Sequence, residues 1–142
     1  MSKKNKIEVT CPHCQEKQSA LIWSSLNATL DPAAAQDLRK GRINRANCQN
    51  CEKELPLKIG LLYHDMERSF CTQYFPIEMV FWENLAARFN QYGNLKGGFD
   101  PKVVTEDAKP YNYMDHIHLV FSMEELVRYV LFREKLFDDY GK

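Results

Sequence analysis

No run in the 142 residues approaches the roughly 18 consecutive apolar residues of a membrane span, which excludes an integral helical membrane protein. Excess charge of either sign is also absent: 19 Lys and Arg balance 19 Asp and Glu, which argues against a dedicated nucleic-acid coat protein. Glycine and proline are sparse at six each. There is no Gly-rich phosphate loop, no nucleophile elbow, no H-E-x-x-H and no internal repeat, so no catalytic constellation is read and a non-enzymatic role is expected. No apolar run follows the polar start from Met1 to Lys6, so no secretory signal is expected and the chain is assigned to the reducing cytoplasm.

What is present suffices for a packed core. Apolar residues make up 44% and aromatics 12%, enough for one globular domain spanning 1–142. Residues 1–58 carry ten Lys and Arg against six Asp and Glu, and residues 59–142 carry nine against thirteen. The basic half is the half with the paired cysteines.

Five cysteines occur, at positions 11, 14, 48, 51 and 71. Cys11, Cys14, Cys48 and Cys51 form two C-x-x-C pairs separated by 33 residues. A C-x-x-C turn points two sulfurs into one small volume, and two such turns complete a tetrahedral Cys₄ site, so one structural Zn²⁺ is expected. Two other readings compete. A disulfide framework fits poorly with a reducing compartment. A thiol oxidoreductase would use Cys11 in Cys11-Pro12-His13-Cys14, but only ten mostly polar residues precede it where a buried strand is required, and Cys48 and Cys51 gain no role. Cys71, in a strand-like run, reads as a half-buried structural thiol.

The stretch between the pairs has its own structure. Gln18 to Ser24 reads as a strand, Asp31-Pro32 as the cap and first residue of a helix over about 31–41, and Gly41 as its stop. Around that stop sit Arg39, Lys40, Arg42 and Arg45, the densest basic patch, a candidate contact for nucleic acid or an acidic partner. Beyond the second pair, Leu57, Ile59, Leu61 and Tyr63 alternate as one strand face. A turn at Asp65-Met66-Glu67, read as exposed polar residues, leads into a second strand over 68–75 and closes a hairpin. Pro76 to Gln91 shows helical spacing, and residues 94–115 form a long connection. His116 to Phe121 is a last strand with Ile117, Leu119 and Phe121 inward, and with His116 and His118 outward as a weak metal pair. Ser122 and Glu125 form a capping box for a helix running to Tyr140. Its apolar face is broader than one core contact needs, which suggests a protein partner or a homodimer seam.

These features together resemble the CpXC family of bacterial and archaeal proteins. The resemblance runs from Cys11-Pro12-His13-Cys14 through Asp31-Pro32, the second pair and Leu62-Tyr63-His64, to Leu119 to Ser122 and Arg133 to Asp139. Cys48-Gln49-Asn50-Cys51 lacks the proline of the family's motif. The resemblance implies zinc held by the four cysteines in a prokaryotic protein. The expected architecture is α+β: a zinc-ribbon-like lobe with a hairpin over 1–75, then a helix-loop-strand-helix lobe over 76–142 that supplies two C-terminal helices and one further strand. Metal removal is expected to loosen residues 1–56. The function expected is that of a structural-zinc interaction module, with zinc-ribbon nucleic-acid binding and thiol redox chemistry as the alternatives.

Overall fold

The computed structural model describes residues 2–55, 57–78, 85–91, 113 and 116–141. Strands β1 (Lys3–Thr10) and β2 (Lys17–Asn27) pair antiparallel from Asn5↔Ile22 to Thr10↔Lys17, so the first C-x-x-C pair lies at the hairpin tip. Alternation along β2 buries Ala20, Ile22 and Leu26 and leaves Leu21 exposed, as one-sided burial of a strand requires. The second pair tops a smaller hairpin, β3 (Ala46–Asn47) with β4 (Glu54–Leu55). Strands β5 (Leu61–Asp65) and β6 (Phe70–Tyr74) form the expected hairpin, and β7 (His118–Val120) joins them. The five-stranded sheet runs β1-β2-β5-β6-β7, with β2–β5 and β6–β7 parallel.

A parallel neighbour demands a crossover. Helix α1 (Pro32–Arg39) supplies it between β2 and β5, so the segment between the cysteine pairs is part of the main fold as well as a spacer. Pro32 opens α1 and Gly41 ends it at φ +69°, although the Asp31 side chain makes no capping bond. Helix α2 (Met123–Tyr140) starts as the capping box predicts. Ser122 Oγ accepts from the Glu125 amide at 3.1 Å, and the Glu125 carboxylate reaches one residue further back, to the Phe121 amide at 2.8 Å. Leu126 and Val130 of α2 meet Ala35 and Leu38 of α1 over Leu26, Leu61, Tyr63 and Phe70 of the sheet. A mixed sheet with two helices makes the chain α+β, as expected.

Several local expectations change. Residues 57–60 are not strand: Leu57 turns toward the cysteines instead, and β5 begins at Leu61, where β6 is first available as a partner. Asp65 is 1% exposed, not a surface turn residue. Its carboxylate accepts from the Arg68 amide at 3.0 Å and the Arg68 guanidinium at 3.1 Å, which closes the turn. In β7 the inward residue is Val120 and Phe121 is 39% exposed, while His118 is exposed as expected, with one ring face stacked on Tyr129 of α2 at 3.9 Å. An imidazole face packs like an aromatic ring, so an exposed histidine can still lean on a neighbouring helix. The helix expected over 76–91 lies partly on residues outside the described set. Its described end is a single 3₁₀ turn, Ala86–Arg88, followed by extended Phe89. The long connection at 94–115 lies outside the described residues apart from Tyr113. Strand β7 pairs with β6 across the expected lobe boundary at residue 75.

Asn44 joins the two sheets. β5 covers β2 only from Ser25 to Asn27, which leaves Trp23 without a strand partner on that side. The Asn44 amide fills the place: its Oδ1 accepts from the Trp23 amide at 2.7 Å and its Nδ2 donates to the Trp23 carbonyl at 2.8 Å. Asn44 is 9% exposed and sits at φ +54°, a conformation that asparagine tolerates better than most residues. Asn44→Ala should cost about 2 kcal/mol, two net hydrogen bonds at about 1 kcal/mol each, read as a lower urea midpoint with unchanged slope. A change below about 0.5 kcal/mol would show that water replaces the amide.

Candidate metal centre

The two cysteine turns are built alike. In the first, the Cys11 amide donates to the Glu16 carbonyl at 2.8 Å and the Gln15 amide to the Cys11 carbonyl at 2.9 Å. In the second, the Cys48 amide donates to the Lys53 carbonyl at 2.8 Å and the Glu52 amide to the Cys48 carbonyl at 2.9 Å. The residue after each second cysteine, Gln15 or Glu52, takes a left-handed φ of +64° or +63°, which folds the chain back under the sulfurs. The hairpins β1–β2 and β3–β4 carry these turns as rigid stems.

Gln18 clamps the two tips together. Its Nε2 donates to the Asn47 carbonyl at 3.1 Å, and its Oε1 accepts from the Gln49 amide at 2.8 Å. Sequence reasoning treated Gln18 only as a strand residue. No local pattern marks an amide whose partners lie 29 and 31 residues away.

The turns face each other so that Cys11 Sγ lies 3.6 Å from Cys51 Sγ, and Cys14 Sγ lies 3.5 Å from Cys48 Sγ. All four sulfurs fall within 4.8 Å of one another, close enough to bind one metal ion. Among the described residues this is the one group of three or more cysteine, histidine or carboxylate side chains so placed. Cys11 and Cys48 are buried beside Leu55, while Cys14 and Cys51 are half-buried on the outer side. The Glu16 amide and then the Asn50 side chain hold the Cys14 thiol down at about 6. At Cys51 the Lys53 amide acts in the same direction, but burial and the neighbouring sulfurs prevail and push it up to about 11. Cys14 is thus favoured as a thiolate and Cys51 as a thiol, and a bound cation would favour the thiolate form at both.

A family model for CpXC proteins matches residues 9–139. The chain belongs to the CpXC family. The match spans both cysteine turns, the crossover helix and nearly all of α2, so the CpXC region is the whole described fold apart from its ends. Neither a curated protein nor a solved structure matches the chain. In this CpXC chain the missing proline of the second turn leaves Gln49 free to donate its amide to Gln18.

The other candidate residues separate from this centre. Arg39 is not a free surface cation: its guanidinium grips the Glu134 carboxylate of α2 at 2.7–2.9 Å. Arg45 pairs with Glu54 at 2.6 Å, and Arg42 lies 3.9 Å from Asp37. Lys40 is exposed at the end of α1. His118 is committed to the Tyr129 ring, and His116 lies just outside β7, away from the sulfurs. Cys71 is fully buried in β6, more so than expected, and burial pushes its thiol up to about 12, so it stays protonated at neutral pH. Among the described residues no helix is long and apolar enough to cross a membrane.

Proposed function

We propose that the chain is a non-catalytic interaction module in which Cys11, Cys14, Cys48 and Cys51 hold one structural Zn²⁺ and the folded body presents surface to a protein partner in the cytoplasm of a prokaryote. The observation that carries the metal assignment is the sulfur geometry. A tetrahedron with Zn–S near 2.3 Å has S···S edges of about 3.8 Å. The 3.5 and 3.6 Å separations and the 4.8 Å limit lie around that value. Four soft thiolates suit zinc, and a Cys₄ ring leaves the ion no open position for water, which favours a structural role. Reduced cysteines in such a ring belong to a reducing compartment.

The partner reading is supported by α2. Leu131, Phe132, Leu136 and Tyr140 are 44%, 56%, 37% and 80% exposed, more apolar surface than a solvated helix face usually shows. A second copy of the chain or another protein would serve as the partner. Nucleic acid is the weaker reading, because the Glu134 grip takes Arg39 out of the patch and the carboxylates of Asp37 and Glu54 lower the net charge of what remains.

Metal analysis of the purified chain should return one zinc per chain. A brief iodoacetamide pulse followed by mass spectrometry should leave the four ring cysteines slow through coordination and Cys71 unmodified through burial. Fast, selective labelling of Cys11 or Cys14 in the metal-loaded chain would instead favour thiol redox chemistry. Submicromolar binding to short DNA or RNA that falls steeply with salt would displace the interaction module in favour of nucleic-acid binding.

A further inference from the structure

A groove of about 970 Å³ opens between the first cysteine turn, the end of α1 and the start of α2. Its floor is apolar: Ile43 is 6% exposed and Leu55 3% exposed, with Val127 of α2 beside them. Its rim is cationic. Lys40, Arg45, Lys58 and Arg128 stand around it against the carboxylates of Glu54 and Glu124. Three of these four cations stand in solvent-exposed ion pairs, Lys58 with Glu78, Arg45 with Glu54 and Arg128 with Glu124, and Lys40 is the fourth. Arg45 and Glu54 are 57% and 54% exposed, and Arg128 and Glu124 are 73% and 72% exposed. Pairs of that kind contribute about 0–1 kcal/mol, so exchanging the internal carboxylate for one on a ligand costs little. Arg39 also lines the groove, but its bidentate grip on Glu134 makes it framework.

We propose that this groove docks an acidic peptide segment with interspersed apolar side chains on a partner protein, and that it does so only while the metal centre is folded. The proposal rests on the structural-metal reading above and names the chemistry of the partner. An apolar floor between cationic rims matches carboxylates that alternate with aliphatic side chains. A phosphodiester backbone would use the rim and find nothing on the floor. Metal dependence follows from the wall: Pro12 and His13 belong to the first cysteine turn, and Leu55 packs on Cys11 and Cys48.

The test is fluorescence anisotropy with a short fluorescein-labelled peptide of alternating glutamate and leucine, titrated with the zinc-loaded full chain. Saturable binding is expected, weaker for a glutamate–serine peptide and absent for a lysine–leucine one. Lys40→Glu with Arg128→Glu should raise Kd by about tenfold or more, Val127→Ser should weaken binding, and Tyr140→Ser, an exposed position at the other end of α2, should not. Cys11→Ser, which removes the metal, should abolish binding. Equal affinity for the glutamate–leucine and glutamate–serine peptides, or tighter binding of a single-stranded RNA of similar length, would overturn the proposal. No binding by a folded chain with one zinc would also overturn it and leave the structural-metal reading standing. A folded chain that binds the peptide without retaining any metal would sink the metal dependence and that reading together.

Discussion

Cys14→Ser should abolish metal binding and unfold the cysteine turns, while the five-stranded sheet and both helices should survive. Zinc content should fall from one per chain to none, because three thiolates and a hydroxyl form a far weaker site for a thiophilic ion. On the structural-zinc reading, the small lobe should depend on that ion for its stability. Its buried cluster is Cys11, Cys48 and Leu55, flanked by Val9, Ala46 and Leu57. Burying one leucine contributes about 1.5–3 kcal/mol. A structural zinc contributes about 10–16 kcal/mol of apparent binding energy at neutral pH, so the ion dominates. The expectation that metal loss loosens all of residues 1–56 is too broad. Ala35, Leu38 and Ile43 belong to the main core with Leu126 and Val130, and β2 pairs with β5 there. Loosening should be confined to residues near 9–16 and 44–57. Hydrogen exchange of the metal-free chain checks this, with fast exchange expected in those two segments and protection in β5, β6 and α2. Uniform loss of protection would show that the main core needs the metal as well.

Glu134→Ala should cost about 3 kcal/mol and loosen the contact between α2 and the end of α1. Its carboxylate takes three N–H···O contacts at 2.7–2.9 Å from Arg39, across 95 residues of sequence. Glu134 is 12% exposed and Arg39 31%, so removing the acid strands a cation that is mostly out of water. Breaking a buried pair costs roughly 3–5 kcal/mol, and the partial exposure of Arg39 places this case at the low end. At about 2–4 °C per kcal/mol for a chain of this size, the melting temperature should drop by roughly 6–12 °C. The double variant with Arg39→Ala should be less damaging than the sum of the single changes, because the stranded charge is gone. A loss under about 0.5 kcal/mol for Glu134→Ala would mean that water rescues Arg39.

Residues 11–14, 31–41 and 122–140 were legible because their structure is local. Cysteine spacing, a Pro32 helix start, a Gly41 stop and the Ser122–Glu125 cap all act within about four residues, and four residues of sequence suffice to read them. Class α+β and the pairing of the cysteines follow from those pieces. Tertiary structure decided the rest. That β2 lies parallel to β5, with α1 as the crossover, depends on which apolar faces bury together, and periodicity marks a face without naming its neighbour. Arg39 reads as part of a basic patch until Glu134 arrives from the last helix. Asn44 and Gln18 read as ordinary polar residues, and His118 as half of a weak metal pair. Their amide and ring groups acquire roles only when Trp23, the second cysteine turn and Tyr129 are folded against them, since a hydrogen bond or a stacked ring exists between two elements and is written in neither alone.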